Sequence, residues 1–139
     1  MYESLEEIKI AIKNCKKCKL CQGRTNIVFG TGNENAKIMF IGEGPGADED
    51  VQGIPFVGKA GKLMNNAFDV VGIQRENVYI TNIVKCRPPN NRDPQIDEIS
   101  KCLNYLRAQV IIVKPKIIVL LGRIALQNIL GEEYKITRK

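Results

Sequence analysis

Three short apolar runs constrain this chain more than any other feature: KIMFIG at 37–42, VYITNI at 78–83 and KIIVLLG at 116–122. Each is continuous rather than alternating, rich in β-branched residues and bounded by turn signals, which is how strands buried in a parallel sheet read. Helical patterns fill the intervals, at 59–71 and at 97–113, the second start marked by Pro94 and Asp97. An amphipathic segment at 4–14, with Leu5, Ile8 and Ile12 on one face and Ser4 as N-cap, precedes them. A short helix at 123–130, closed by Gly131, follows the third run. Strands alternating with helices define right-handed βαβ units, hence a three-layer α/β/α fold around a central parallel sheet. Three strands make a thin sheet of this type, and a further β-unit is expected where the chain reaches the charged run KITRK at 135–139.

A length of 139 residues accommodates one core, so a single domain over 1–139 is expected. No repeat, low-complexity stretch or interdomain linker interrupts it. Lys and Arg number 21 against 15 Asp and Glu, giving a net charge of +6 that favours a polyanionic partner such as nucleic acid. No apolar run approaches the ~20 residues needed to span a bilayer, and the N-terminus is acidic and amphipathic rather than signal-like. A soluble, cytoplasmic monomer is the expectation. The chain contains no histidine, which excludes Ser–His or Cys–His nucleophile pairs, His-ligated metals and imidazole acid–base chemistry.

Three of the five cysteines, Cys15, Cys18 and Cys21, form C-x2-C-x2-C within NCKKCKLCQGR; Cys86 and Cys102 stand apart. Such clustering in a cytosolic chain points to metal or cluster ligation rather than to disulfides. Two-residue spacers let one loop aim two thiolates at one centre, and four thiolates suit either zinc or an iron–sulfur cluster. The surrounding Lys13, Lys16, Lys17, Lys19, Lys85 and Arg87 are expected to lower the thiol pKa values. One of the five cysteines is spare, and spacing does not say which.

Ligands of open α/β sheets bind outside the carboxyl ends of the strands. That rule points to GEGPGADEDVQGIPFVGKAGK after the first run, TNIVKCRPPNNRDP around the second and GRIALQN after the third. In the first segment Gly42, Gly44 and Gly46 permit close backbone approach. Glu43 at the strand tip could orient water or face a developing cation, and Phe56 could stack on a flat ring. The glycine spacing is neither G-x-G-x-x-G nor a P-loop. In the second segment the Asn82 amide offers a donor and an acceptor that suit a pyrimidine edge. Arg87 and Arg92, in a basic, proline-rich loop, fit phosphate contacts.

Taken together, C-K-K-C-K-L at 15–20, MFIGEGPGADEDVQGIPFVGKAGKLMN at 39–65, VYITNIVKCRPPNNR at 78–92, Cys102 and PKIIVLLGRIAL at 115–126 resemble the type-4 uracil-DNA glycosylases, the iron–sulfur branch of that enzyme class. The resemblance implies a DNA-repair hydrolase that cleaves the N-glycosidic bond of uracil in DNA, and a [4Fe-4S] cluster on Cys15, Cys18, Cys86 and Cys102, with zinc as a substitute and Cys21 as the odd thiol. It implies that Glu43 is the catalytic carboxylate, that Gly42 and Gly44 place backbone near the uracil, and that Phe56 stacks on it. It further implies that Asn82 reads the base edge and that Glu49 crowds the C5 position, excluding thymine. The family continues for several dozen residues beyond the point matching Lys139, through a fourth strand, an H-P-[AS] motif and a DNA-wedging loop. On that resemblance the chain is expected to be C-terminally shortened and, without a histidine, to cut poorly. Two alternatives stand beside this reading: a DNA- or uracil-binding module without catalysis, and a cysteine-ligated, metal-stabilised α/β domain of other function.

Overall fold

The computed structural model of the chain describes residues 2–131; the run at 135–139, where a further β-unit is expected, lies outside them. The elements follow the order α1 (Leu5–Ile12), β1 (Thr31–Gly32), β2 (Ile38–Gly42), α2 (Ala47–Gln52), α3 (Lys59–Val71), β3 (Tyr79–Asn82), α4 (Ile96–Val113), β4 (Ile117–Leu120) and α5 (Arg123–Leu130). Short 3-10 turns lie at Lys19–Gln22, Arg75–Asn77 and Pro89–Asn91.

The apolar runs form the three parallel strands, with β2 central between β3 and β4. The two-residue β1 adds an antiparallel edge against β3, so the sheet is mixed. Nothing in TG at 31–32 announces a strand; its pairing comes from β3 rather than from its own pattern. Met39, Ile41 and Tyr79 join one apolar cluster with α1, α4 and α5, whereas Phe40 and Ile80 join Met64 and Phe68 of α3 in another. Alternate side chains of each strand thus enter cores on opposite faces, which is the three-layer α/β/α arrangement. Every residue from Val78 to Cys86 is buried, as a strand covered on both faces requires.

The helices agree with their sequence signals. Ser4 caps α1, its hydroxyl accepting from the Glu7 N–H at 3.2 Å. Helix α4 starts one residue earlier than Asp97 suggests, because Glu98 reaches back to accept the Gln95 N–H at 2.8 Å. Helix α2 has no counterpart in the sequence expectation. Three of its six residues, ADEDVQ, are acidic, and they carry no apolar stripe.

The parallel register sets Gly42 beside Asn82 at the carboxyl ends of β2 and β3. The chain after each strand stays paired for two more residues, with Ile83 N–H donating to Gly42 O at 2.9 Å and Val84 N–H to Glu43 O at 3.1 Å. This pairing holds the two functional loops side by side.

Candidate active site

A cavity of about 350 Å³ opens at these strand ends, lined by Gly44, Glu49, Phe56, Lys59, Asn82 and Asn91 among others. It lies within the size range of small-ligand sites. Asn82 and Phe56 reach it from different directions and meet over Gly42. A Cβ on Gly42 would come within 2.5 Å of both the Asn82 Oδ1 and the Phe56 Cζ. The absence of a side chain at position 42 is therefore what lets an amide and an aromatic ring share this corner. Asn82 is 2% exposed, and its amide makes no hydrogen bond to another described residue, so both its donor and its acceptor are available to a ligand.

Glu49 projects from α2 with both carboxylate oxygens committed. Oε1 accepts the Gly46 N–H at 3.0 Å, and Oε2 accepts those of Val57 at 2.9 Å and Gly58 at 2.8 Å. Burial pushes this carboxyl upward, but the amide donors of Gly58, Val57 and Gly46 outweigh it and hold it below the usual glutamate range. Glu49 is thus a fixed wall of the cavity as well as the pin that joins α2 to the 56–58 turn.

Glu43 lines an adjoining pocket of about 100 Å³ that shares Gly44, Gly46 and Asn91 with the first. Its Oε2 accepts the N–H of Ile124 in the first turn of α5 at 3.1 Å. The carboxylate therefore sits beside, not inside, the space bounded by Phe56 and Asn82.

The two arginines of the 87–92 segment divide. Arg92 turns its planar fork onto Glu98, with Nη1 to Oε1 at 2.9 Å and Nη2 to Oε2 at 2.8 Å. Arg92 is thus paired with the buried Glu98 at the start of α4, while its side chain also lines the Glu43 pocket. Arg87 places its Nε on the Asn91 Oδ1 at 2.9 Å and leaves its terminal nitrogens free among the described residues. Asn90 and Asn91 both adopt left-handed backbone, at φ 55° and 56°, which asparagine tolerates better than most residues.

Cys15, Cys18, Cys86 and Cys102 line one pocket together with Lys17, Arg24, Lys85 and Lys101; Cys21 is not among its walls. Polar hydrogens already point at three of the sulfurs. Arg24 Nη1 lies 3.4 Å from Cys86 Sγ, the Lys85 backbone N–H 3.4 Å from Cys102 Sγ, and the Tyr105 hydroxyl 3.6 Å from Cys15 Sγ. Such donors to a sulfur ligand orient it and tune whatever it binds. For Cys18, Cys86 and Cys102 the expected lowering of thiol pKa values is overturned. Burial pushes Cys86 up to about 11 despite Arg24 and raises Cys18 and Cys102 as well, because desolvation in this pocket outweighs the neighbouring cations. Lys85 is itself fully buried, its ammonium shared by Thr81 Oγ1 at 2.6 Å, Gln109 Oε1 at 2.6 Å and the Asn82 carbonyl at 2.8 Å.

Several contributors have no signature in the sequence reading. Asn91 lines both pockets. Arg24, Tyr105 and Gln109 support the cysteine pocket and the buried lysine. Asp50 accepts the Thr25 and Asn26 N–H groups and so ties α2 to the segment after the cysteine loop. The partners of these side chains are backbone atoms or distant residues, which no local spacing encodes. A turn-forming Asn-Asn pair after Pro-Pro was the one available hint, for Asn91.

The sheet order and the cavity at the carboxyl ends of the parallel strands, with Asn82 and Phe56 meeting at one corner of it, define an α/β fold with a ligand-sized site at its strand ends. The family model of the uracil DNA glycosylase superfamily matches residues 29–138, and the chain is a member of that superfamily. It belongs, within it, to the type-4 uracil-DNA glycosylase family. The chain is 54% identical over 127 residues to the type-4 uracil-DNA glycosylase of Archaeoglobus fulgidus, covering 91% of this chain and 64% of that one. Against the Sulfurisphaera tokodaii enzyme of the same name it is 57% identical over 122 residues, 87% of this chain and 56% of the other. Against that of Thermotoga maritima the figures are 47% over 137 residues, 98% and 71%. The chain thus spans less than two thirds of the length of the first two relatives. No described helix is long and apolar enough to cross a membrane.

Proposed function

We propose that this chain, as a single domain, captures a uracil flipped out of DNA and, lacking a histidine, hydrolyses its N-glycosidic bond slowly. The observation that carries the reading is the convergence of the Asn82 amide and the Phe56 ring over Gly42, in a cavity of about 350 Å³. A flipped pyrimidine needs a hydrogen-bonding partner for its edge and a flat apolar surface for its face, and this corner supplies both. The Glu49 carboxylate, fixed by three amides, forms a rigid wall suited to excluding a larger base.

Cleavage develops positive charge on the sugar and negative charge on the departing base. Glu43, in the pocket adjoining the base site, is placed to face the sugar, where an ionised carboxylate favours the cation and can orient the attacking water. Gly44, common to both pockets, lets backbone approach the junction of base and sugar. The strand carrying the uracil runs past Arg87, whose free guanidinium nitrogens suit a phosphate.

The cysteine pocket fits an iron–sulfur cluster. Its donor set is sulfur alone, and the cationic Lys17, Arg24 and Lys101 line the same walls, a setting that suits a thiolate-held cluster of net negative charge. Cys15, Cys18, Cys86 and Cys102 would hold the cluster, which when bound supplies a covalent cross-link between the N-terminal loop, the extension of β3 and α4. Hydrolysis asks no electron of it.

Release of free uracil from a labelled oligonucleotide is the test. The chain should release uracil and leave the thymine counterpart intact, and Glu43→Gln should abolish release while retaining binding. Absence of preferential binding to the uracil strand would overturn the proposal. Asn82→Ala should lower discrimination between bases by roughly 1–3 kcal/mol, the usual worth of one paired edge.

A further inference from the structure

We infer that Arg75 is a positioning residue for Phe56, acting on the base platform from outside the pocket; the inference rests on reading Phe56 as the surface on which the base stacks. Phe56 adopts φ 53°, left-handed backbone that a bulky side chain rarely occupies. Such a conformation persists only where the surroundings over-determine it, and here they do so from four sides.

Glu49 takes the N–H groups that follow the residue, those of Val57 and Gly58. Arg75 takes the carbonyls at and before it. Its Nη1 donates to Phe56 O at 2.8 Å and its Nη2 to Pro55 O. The turn is therefore held between an anion on its amide hydrogens and a cation on its carbonyl oxygens. Beneath it lies Gly61 of α3, where a Cβ would fall on the Phe56 carbonyl, so the turn rests directly on helix backbone. Above it, the ring edge rests on Gly42.

Arg75 lies in the 3-10 turn before β3 and is absent from the walls of both active-site pockets. Nη1 is steadied by a further bond to Asn65 Oδ1 at 3.1 Å. Two successive carbonyls taken by the two terminal nitrogens of one side chain call for a guanidinium fork; an ammonium cannot reproduce that geometry. Without the fork, the two peptides that impose the left-handed turn lose their common partner, and the ring departs from its place opposite Asn82.

The chain contains four phenylalanines, at 29, 40, 56 and 68, so 4-fluorophenylalanine labelling gives four fluorine signals, and Phe56→Leu identifies one of them. In Arg75→Met that signal should shift or broaden while the other three stay in place. Affinity for a single-stranded oligonucleotide carrying 2′-fluoro-deoxyuridine, whose glycosidic bond resists hydrolysis, should fall about tenfold, within what losing one stacked base costs. Arg75→Lys, which keeps the charge and stem, should show the same loss. The double variant Phe56→Leu with Arg75→Met should bind no more weakly than Phe56→Leu alone. An unmoved Phe56 signal, or additive losses in the double variant, would overturn the role of Arg75. If Phe56→Leu weakens binding and Arg75→Met does not, the inference alone falls. If Phe56→Leu leaves affinity unchanged, or the unsubstituted chain does not prefer the uracil strand, the stacking reading falls and takes the inference with it.

Discussion

Glu43 and Ile124, 81 residues apart in the chain, are joined by a hydrogen bond of 3.1 Å from the backbone N–H of the first turn of α5 to the Glu43 carboxylate. The helix that follows the third parallel strand thus orients the carboxylate that follows the first. Gly122, at the entry to that helix, makes the contact possible: it sits at φ 95°, and a Cβ there would lie 2.5 Å from Glu43 Oε2.

Gly122→Ala should therefore act on catalysis as well as on folding. The backbone there, at φ 95° and ψ 166°, lies in a region essentially confined to glycine and costs a side chain about 1–3 kcal/mol, which a thermal melt would show. The displaced carboxylate should slow single-turnover uracil release on the order of 10²-fold, the scale expected for a misplacement of about 1 Å, with affinity for the uracil strand nearly unchanged. Equal losses in affinity and rate would instead place Glu43 in base binding.

Arg87 and Arg92 should give opposite phenotypes. Arg87→Gln should weaken binding to all DNA sequences alike and reduce the slope of log affinity against log salt by about one, leaving the melting temperature unchanged. Arg92→Gln should lower the melting temperature by stranding Glu98, which is 0% exposed, with a much smaller effect on the salt slope. Titration of DNA at several salt concentrations, paired with thermal unfolding, separates the two.

Acid should destabilise the protein through Glu98. The Arg92 fork, aided by the Gln95 N–H, holds its carboxyl below the ordinary value of 4.5 in spite of burial. A carboxyl depressed on folding contributes stability that is complete above 4.5 and is lost as the pH falls through that value towards the folded pKa. Glu49 works in the same direction. Unfolding free energy measured by urea titration should fall steadily below pH 4.5. In Glu98→Gln the curve should start lower at neutral pH and fall less steeply; an unchanged slope would remove Glu98 from the acid response.

Protein purified without oxygen should be brown and contain iron and acid-labile sulfide. Cys86→Ser and Cys102→Ser should lower iron content, and Cys21→Ser should leave it unchanged. The thiols of Cys18, Cys86 and Cys102, whose pKa values burial raises, must each release a proton on loading, so reconstitution of stripped protein should quicken as the pH is raised. Colourless protein that withstands chelators as well as the untreated sample does would exclude the cluster.

The sheet and long helices were legible because their signals are local. KIMFIG, VYITNI and KIIVLLG declare buried strands by continuous apolar character, and the stripe in 59–71 marks α3 at the residues observed. Helix α2 was missed because an acidic hexapeptide between glycines carries no such stripe, although it presents Glu49. Asn82, Phe56 and Glu43 stood out as residue types at strand ends, yet their mutual placement depends on the register between β2 and β3 and on a glycine beneath them. The pairing of Arg92 with Glu98 was hidden for the same reason. A basic residue in a loop reads as solvent-facing until a buried glutamate from another element claims it. The misjudged thiol acidity came from counting nearby lysines along the sequence, where the burial that decides the outcome is invisible.

The stretch from Val78 to Cys86, buried at every position, carries the proposed base-reading amide near its middle and a proposed cluster ligand at its end, with Lys85 bonded back to the Asn82 carbonyl between them. Almost none of it is outer surface, so it offers few positions where a substitution touches nothing. Each change there alters a core, a hydrogen bond or a sulfur neighbour, and must be answered by a second change elsewhere. Substrate preference and cofactor retention are therefore tied together in inheritance: a lineage that retunes one through this segment puts the other under selection in the same step.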